Sequence, residues 1–62
     1  MTPEEIKKVR ASLGLTQEDF AHELGTSVAT VNRWENGKNR PGRMAIKLLA
    51  MLHVQKVEKD TN

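Results

Sequence analysis

The residues that most constrain this chain are Gly25-Thr26-Ser27, a three-residue link between two short helical patterns, QEDFAHEL and VATVNRWEN. Gly25 stands where an ending helix needs a residue that accepts positive φ, and Ser27 where the next helix needs an N-cap. A link this short cannot lay two helices antiparallel, so the second is expected to leave the first at a steep angle. The remaining residues read as a scaffold for that projection.

The flanking helix signals are equally plain. Thr2-Pro3-Glu4-Glu5 supplies an N-cap hydroxyl, a proline at the first helical position and a glutamate that closes a capping box. Ile6, Val9 and Leu13 follow at helical spacing, and Gly14 ends this first helix, predicted over 3–13. Thr16 caps the second helix, with Glu18 and Asp19 facing its positive end. Phe20, Ala21 and Leu24 form its buried stripe, and Ala21 is small enough to let the next helix approach. In the third helix, 28–36, Val31, Trp34 and Glu35 share the arc turned to the core. Val28, Ala29, Asn32, Arg33 and Asn36 take the opposite arc. Asn36 to Gly42 reads as a loop with Gly37 past the helix end, and a fourth helix from Arg43 to about Val57 is expected to bury Ala45, Leu48, Leu49 and Leu52. The expected fold class is all-α, a compact bundle of four short helices, or five, in one domain over 1–58 with a frayed tail at 59–62.

Sixty-two residues offer little core, and with no cysteine neither a disulfide nor a thiolate zinc site can supplement it. A compact helical core, helped by self-association, is expected to supply the stability. Ile46, Ala50, His53 and Val57 make one flank of the fourth helix more apolar than a single contact surface requires, so they are the expected dimer interface; packing around a small core is the plainer alternative. His22 and His53 lie far apart without neighbouring ligands, so no metal and no cofactor is expected. Neither is catalysis. There is no phosphate-binding glycine loop or paired His–carboxylate arrangement, and Ser12 and Ser27 have no partners for a triad. A chain of this size could hardly enclose a substrate, so no small-molecule ligand is expected. No apolar run approaches the roughly 20 residues of a membrane span, and the lack of cysteine suits a cytoplasmic location.

The formal charge of +2 is unevenly spread. Residues 1–23 carry three bases and five acids, whereas residues 24–62 carry seven bases and three acids. Five of those bases and one acid fall between Arg33 and Lys47. Charge runs ordinarily only solvate a face, but here the cations cluster at and just after a projecting helix. A helix projected steeply from a small scaffold is the geometry that enters a DNA major groove, and phosphates would lie where the cations are.

The stretch LGLTQEDFAHELGTSVATVNRWENGKNRP resembles the lambda-repressor/Cro-like (XRE-type) helix-turn-helix family. The matching features are Leu13-Gly14-Leu15-Thr16-Gln17-Glu18, Phe20-Ala21, Leu24-Gly25, Ser27, Val31 and Trp34-Glu35-Asn36-Gly37 followed by Pro41. Pro41 to Leu49 is similar to a subgroup of antitoxin DNA-binding domains, with Gly42 where that subgroup commonly has serine. The resemblance implies a lambda-repressor-like bundle whose third helix reads double-stranded DNA through Ser27, Val28, Ala29, Asn32 and Arg33. Arg33 would be bidentate to guanine, and Val28 and Ala29 would offer apolar contact to a thymine methyl. It implies phosphate contacts from Gln17, Thr30, Asn36, Lys38, Asn39, Arg40 and Arg43. It also implies a structural ion pair between Arg10 and Glu35. The expected function is a homodimeric repressor on an inverted repeat, nucleoid-associated when bound. The alternative is an antitoxin that neutralises a partner toxin by direct contact and represses its own operon.

Overall fold

A computed structural model describes the backbone of residues 1–61 and the side chains of residues 1–53. Four helices follow one another: α1 (Pro3–Ser12), α2 (Gln17–Leu24), α3 (Val28–Glu35) and α4 (Arg43–Thr61). The order and the helical class match the sequence reading, with each of the first three helices closed at both ends by chemistry written into it. The Thr2, Thr16 and Ser27 hydroxyls accept from the backbone N–H groups of Glu5, Asp19 and Thr30. Thr2 N–H in turn donates to Glu5 Oε1 at 2.7 Å, completing the capping box.

The C-terminal ends share one device. After α2, the Thr26 N–H reaches back to Ala21 O at 2.9 Å and the Gly25 N–H to His22 O at 3.1 Å, with Gly25 at φ 69°. These are the paired bonds of a Schellman motif, which requires a left-handed residue between them. The same pair of bonds closes α1 on Arg10 and Ala11, and α3 on Arg33 and Trp34. Each helix therefore stops at a defined residue, and α2 gives way to α3 within the three residues Gly25 to Ser27.

The core gathers Ile6 from α1, Phe20, Ala21 and Leu24 from α2, Val31 and Trp34 from α3 and Leu49 from α4. Val9, Leu13, Leu15, Ala45 and Leu52 pack around it. Ala21 is buried in α2, which packs against α3. Leu48 is a correction. It is 36% exposed, because the buried stripe of α4 is narrower than expected and consists of Ala45, Leu49 and Leu52 at i, i+4, i+7. Leu48 falls beside that stripe and lines up instead with Met44 and Met51, both exposed. The backbone of α4 runs past Val57 to Thr61, and the expected tail at 59–62 falls outside the residues whose side chains are described.

One polar cluster sits inside this shell. Glu35 is 3% exposed, yet its carboxylate accepts from Arg10 Nε at 2.7 Å, Arg10 Nη2 at 3.1 Å and Gln17 Nε2 at 3.1 Å. Arg10 Nη1 also donates to Leu15 O at 3.0 Å, so its guanidinium ties α1, the α1–α2 turn and α3 together. Burial by itself pushes the Glu35 carboxyl up. The hydrogen bonds from Arg10 and Gln17, helped by the charges of Arg10 and Lys7, outweigh it and hold the group below the ordinary 4.5. The Glu35 hydrogen bond raises Arg10 above its ordinary value against a smaller opposing effect of burial. At the surface, the Thr2 N–H bond lowers Glu5 in the same direction as Glu35.

Three outcomes follow from these contacts. Gly25→Ala meets no atom within 4 Å, so its cost is the left-handed backbone alone. Thermal melting should show a loss of about 1 kcal/mol, roughly 4–8 °C, with Gly25→Asn milder. Arg10→Met strands a buried carboxylate and should cost about 3–5 kcal/mol by urea unfolding. Glu35→Gln should cost less, because the Arg10 side chain is 24% exposed and can rehydrate. Since the folded Glu35 value is depressed, its stabilisation is complete above pH 4.5 and disappears as pH falls through the lower folded value. Urea unfolding from pH 7 to pH 3 should therefore show an acid loss that Glu35→Gln reduces, with Glu5 contributing to the remainder.

Candidate nucleic-acid interface

The outward side of α3 begins at its cap. Ser27 is exposed, and its Oγ lies 2.9 Å from Thr30 Oγ1 as well as accepting the Thr30 N–H. The half-buried Thr30 hydroxyl is thus engaged in the cap. Val28 is 42% exposed despite being apolar, and Ala29, Asn32, Arg33 and Asn36 are exposed with it. Val31, Trp34 and Glu35 hold the opposite side in the core, so the face is fixed in rotation about the helix axis. Small side chains occupy its N-terminal half and longer polar ones its C-terminal half.

Beyond α3 the chain turns sharply. Lys38 N–H and Asn39 N–H both return to Arg33 O, at 2.9 and 3.4 Å, and Pro41 is buried. Between these anchors Lys38, Asn39 and Arg40 are exposed, and Arg43 is exposed at the start of α4. Arg33, Lys38, Arg40 and Arg43 make no side-chain hydrogen bond or ion pair with the described residues. The single acid of this segment, Glu35, is buried and neutralised by Arg10. The exposed ionic charge from Arg33 to Lys47 is therefore wholly positive, a stronger polarity than the sequence count of five bases to one acid suggested.

Gln17 sits differently from the cations. It is half-buried, donates through Nε2 to Glu35 and accepts through Oε1 from Asn32 Nδ2 at 3.4 Å. Asn36 Nδ2 donates to Asn32 Oδ1 at 3.0 Å. The arc that carries Asn32 and Asn36 is thus joined by side-chain amides to the buried ion pair. Sequence periodicity gives no signal for this link, since Gln17 and Glu35 are 18 residues apart on different helices.

Elsewhere the surface offers little chemistry. His22 and His53 are both exposed, and among the described residues no three potential ligands gather around a metal position. An open cleft of about 530 Å³ between the start of α1 and the α3–α4 loop is walled by Pro3, Ile6, Trp34, Arg40, Pro41 and Ile46, and its lining includes no carboxylate, histidine or cysteine side chain. On α4, Ile46 (38% exposed), Ala50 and His53 lie open on one flank; Val57 is outside the residues whose side chains are described. Met44 (72% exposed), Leu48 and Met51 (57% exposed) lie open on the other. None of the described helices is long and apolar enough to cross a membrane.

Residues 6–59 match the helix-turn-helix family HTH_3. The chain is 40% identical over 48 residues to the uncharacterized HTH-type transcriptional regulator YiaG of Escherichia coli K12, an alignment covering 77% of this chain and 50% of that protein. It is 33% identical over 52 residues to antitoxin HigA-2 of Vibrio cholerae serotype O1, covering 84% of this chain and 50% of that protein. It is also 40% identical over 52 residues to antitoxin MqsA of Escherichia coli K12, covering 84% and 40% respectively. The chain thus spans half or less of the length of the curated relatives it matches. No solved structure gives a significant match. With a tight α2–α3 turn, a core built from all four helices and a family match over most of its length, this chain belongs to the XRE-type helix-turn-helix family.

Proposed function

We propose that this chain is a sequence-specific DNA-binding transcriptional regulator, acting as a homodimeric repressor that inserts α3 into the major groove of an inverted-repeat operator. The observation that carries the reading is the exposed α3 face flanked by cations that are unpaired among the described residues, with the one acid of the Arg33–Lys47 segment withdrawn into the core. Small residues at the helix tip (Ser27, Val28 and Ala29) permit close approach to base edges. Asn32 and Arg33 supply longer polar reach. Arg33 is suited to a bidentate contact with guanine O6 and N7. Lys38, Asn39, Arg40 and Arg43 stand where a phosphate backbone would pass beside the groove and add sequence-independent affinity. Thr30 and Asn36 border that path.

One eight-residue helix supplies few contacts, so pairing two copies is the economical route to useful affinity. The exposed flank of α4 with Ile46, Ala50 and His53 is the surface we assign to that pairing, with Val57 extending it in the sequence. Two α3 helices related by a two-fold axis would then read half-sites roughly 10 bp apart, centre to centre.

A second reading is favoured by the relatives named antitoxin HigA-2 and antitoxin MqsA, and by the apolar side chains left open on α4. In it the chain neutralises a partner toxin by direct contact and represses its own operon through α3. Stoichiometric co-purification with a neighbouring gene's product, together with suppression of that product's toxicity, would establish it. Failure of both would leave the regulator alone.

Selection from a random duplex pool at near-physiological salt tests the main reading. A two-fold symmetric motif is expected; a solitary half-site would sink the symmetric dimer, and no enriched sequence would sink DNA recognition. On the selected site, Arg33→Ala should cost about 1–3 kcal/mol and relax preference at one base pair. Arg40→Ala should weaken binding evenly across sequences and flatten the salt dependence. Equal behaviour of both variants on matched and mismatched sites would refute this division of roles.

A further inference from the structure

The amides of Gln17, Asn32 and Asn36 form a chain that starts at a group with no freedom to reverse. A carboxylate has no proton and can only accept, so the Gln17 end lying 3.1 Å from Glu35 Oε1 must be its NH2. That leaves the Gln17 carbonyl facing Asn32, which must answer with its own NH2, at 3.4 Å. The Asn32 carbonyl is then turned toward Asn36, whose NH2 donates to it at 3.0 Å. One buried charge thereby dictates which end is which on three successive side chains. The 3.4 Å contact is the longest step of the chain, and it lies at the exposed surface together with the Asn36–Asn32 step.

A primary amide has two N–H donors and two carbonyl lone pairs. Asn32 commits one donor to Gln17 and one lone pair to Asn36, which leaves one of each at an exposed position of α3. The adenine edge in the major groove offers the complement, an N7 acceptor beside an N6 donor. Guanine offers two acceptors there, and the Asn32 carbonyl would face one of them.

We propose that Gln17 is a positioning residue that transmits the polarity of the Glu35 carboxylate to Asn32, and that Asn32 so held reads an adenine. This rests on the DNA-binding reading above and replaces the phosphate contact that the family resemblance implies for Gln17. A phosphate contact by Gln17 supplies affinity to every sequence. An orienting role supplies discrimination at one base pair and little elsewhere.

The test uses the whole chain on the duplex obtained by selection, with each base pair of the half-site replaced in turn. Asn32→Ala should identify one A·T pair at which the native protein discriminates, by roughly five- to a hundredfold, and the variant does not. Gln17→Met, which keeps an unbranched side chain but has no amide, should bring discrimination at that same pair to within about threefold of Asn32→Ala, taking a good bidentate contact as the range above. Its discrimination at other pairs and its salt slope should stay as in the native protein. Asn36→Ala, on the exposed face, removes the other support of Asn32 without entering the core and should weaken the same pair. It keeps the question open to experiment should Gln17→Met melt below the assay temperature. Full retention of that preference in a folded Gln17→Met overturns the proposal, as does its full retention in Asn36→Ala where Gln17→Met does not fold, and as does an even loss across all sequences with a shallower salt slope for Gln17→Met. If the native protein enriches no sequence, the DNA-binding reading fails and this inference falls with it; if it enriches a motif that Gln17→Met reads unchanged, only this inference falls.

Discussion

A single carboxylate carries an unusual share of this structure's organisation. Glu35 ends α3 inside the protein, where an ionised group is tolerated only if its lone pairs are occupied. Arg10 fills two of those positions and Gln17 a third, and in doing so the three residues join α1, α2 and α3 at one point. Apolar side chains of similar volume could stabilise the same space as well. What they could not supply is direction. The fork of Arg10 and the amide of Gln17 accept few alternative arrangements, so the pair fixes how α3 is turned as well as that it is held.

That matters because α3 has little capacity to hold itself. Eight residues are too few for a stable helix in isolation, and most of its order must come from packing. Val31 and Trp34 supply the buried surface, the Ser27 cap and the return of Lys38 to Arg33 close the two ends, and Glu35 locks the rotation. A surface built this way is held more firmly than one on a longer helix with a flexible tether. Its exposed residues reach a partner with little ordering left to do.

Burial of Glu35 also shapes the field around α3. An acid on the surface beside Arg33 and Lys38 would blunt the positive potential on which a phosphate backbone depends. Inside the core and paired with Arg10, it leaves the outward cations of this segment unopposed. Stability and electrostatics therefore draw on the same interaction. The amide chain from Glu35 to Asn36 extends that dependence to the exposed face itself.

Much of the architecture was legible in the residues, for a local reason. Thr2, Thr16 and Ser27 cap helices, and Gly25 closes one, through contacts that span no more than six residues. Such contacts depend on the spacing of residue types along the chain. The buried set of α1 to α3 followed from helical periodicity for the same reason. On α4 periodicity went too far, because its apolar residues occupy more than one arc and the sequence does not say which arc meets the core. Packing against the other helices chose Ala45, Leu49 and Leu52 and left Leu48 outside. The candidate site divides along the same line. Which residues of α3 face outward was already decided by Val31, Trp34 and Glu35 facing inward. That Gln17 turns toward Glu35 and Asn32, and that the one acid among the cations is hidden, only the assembled fold decided, since both depend on atoms brought together from separate helices.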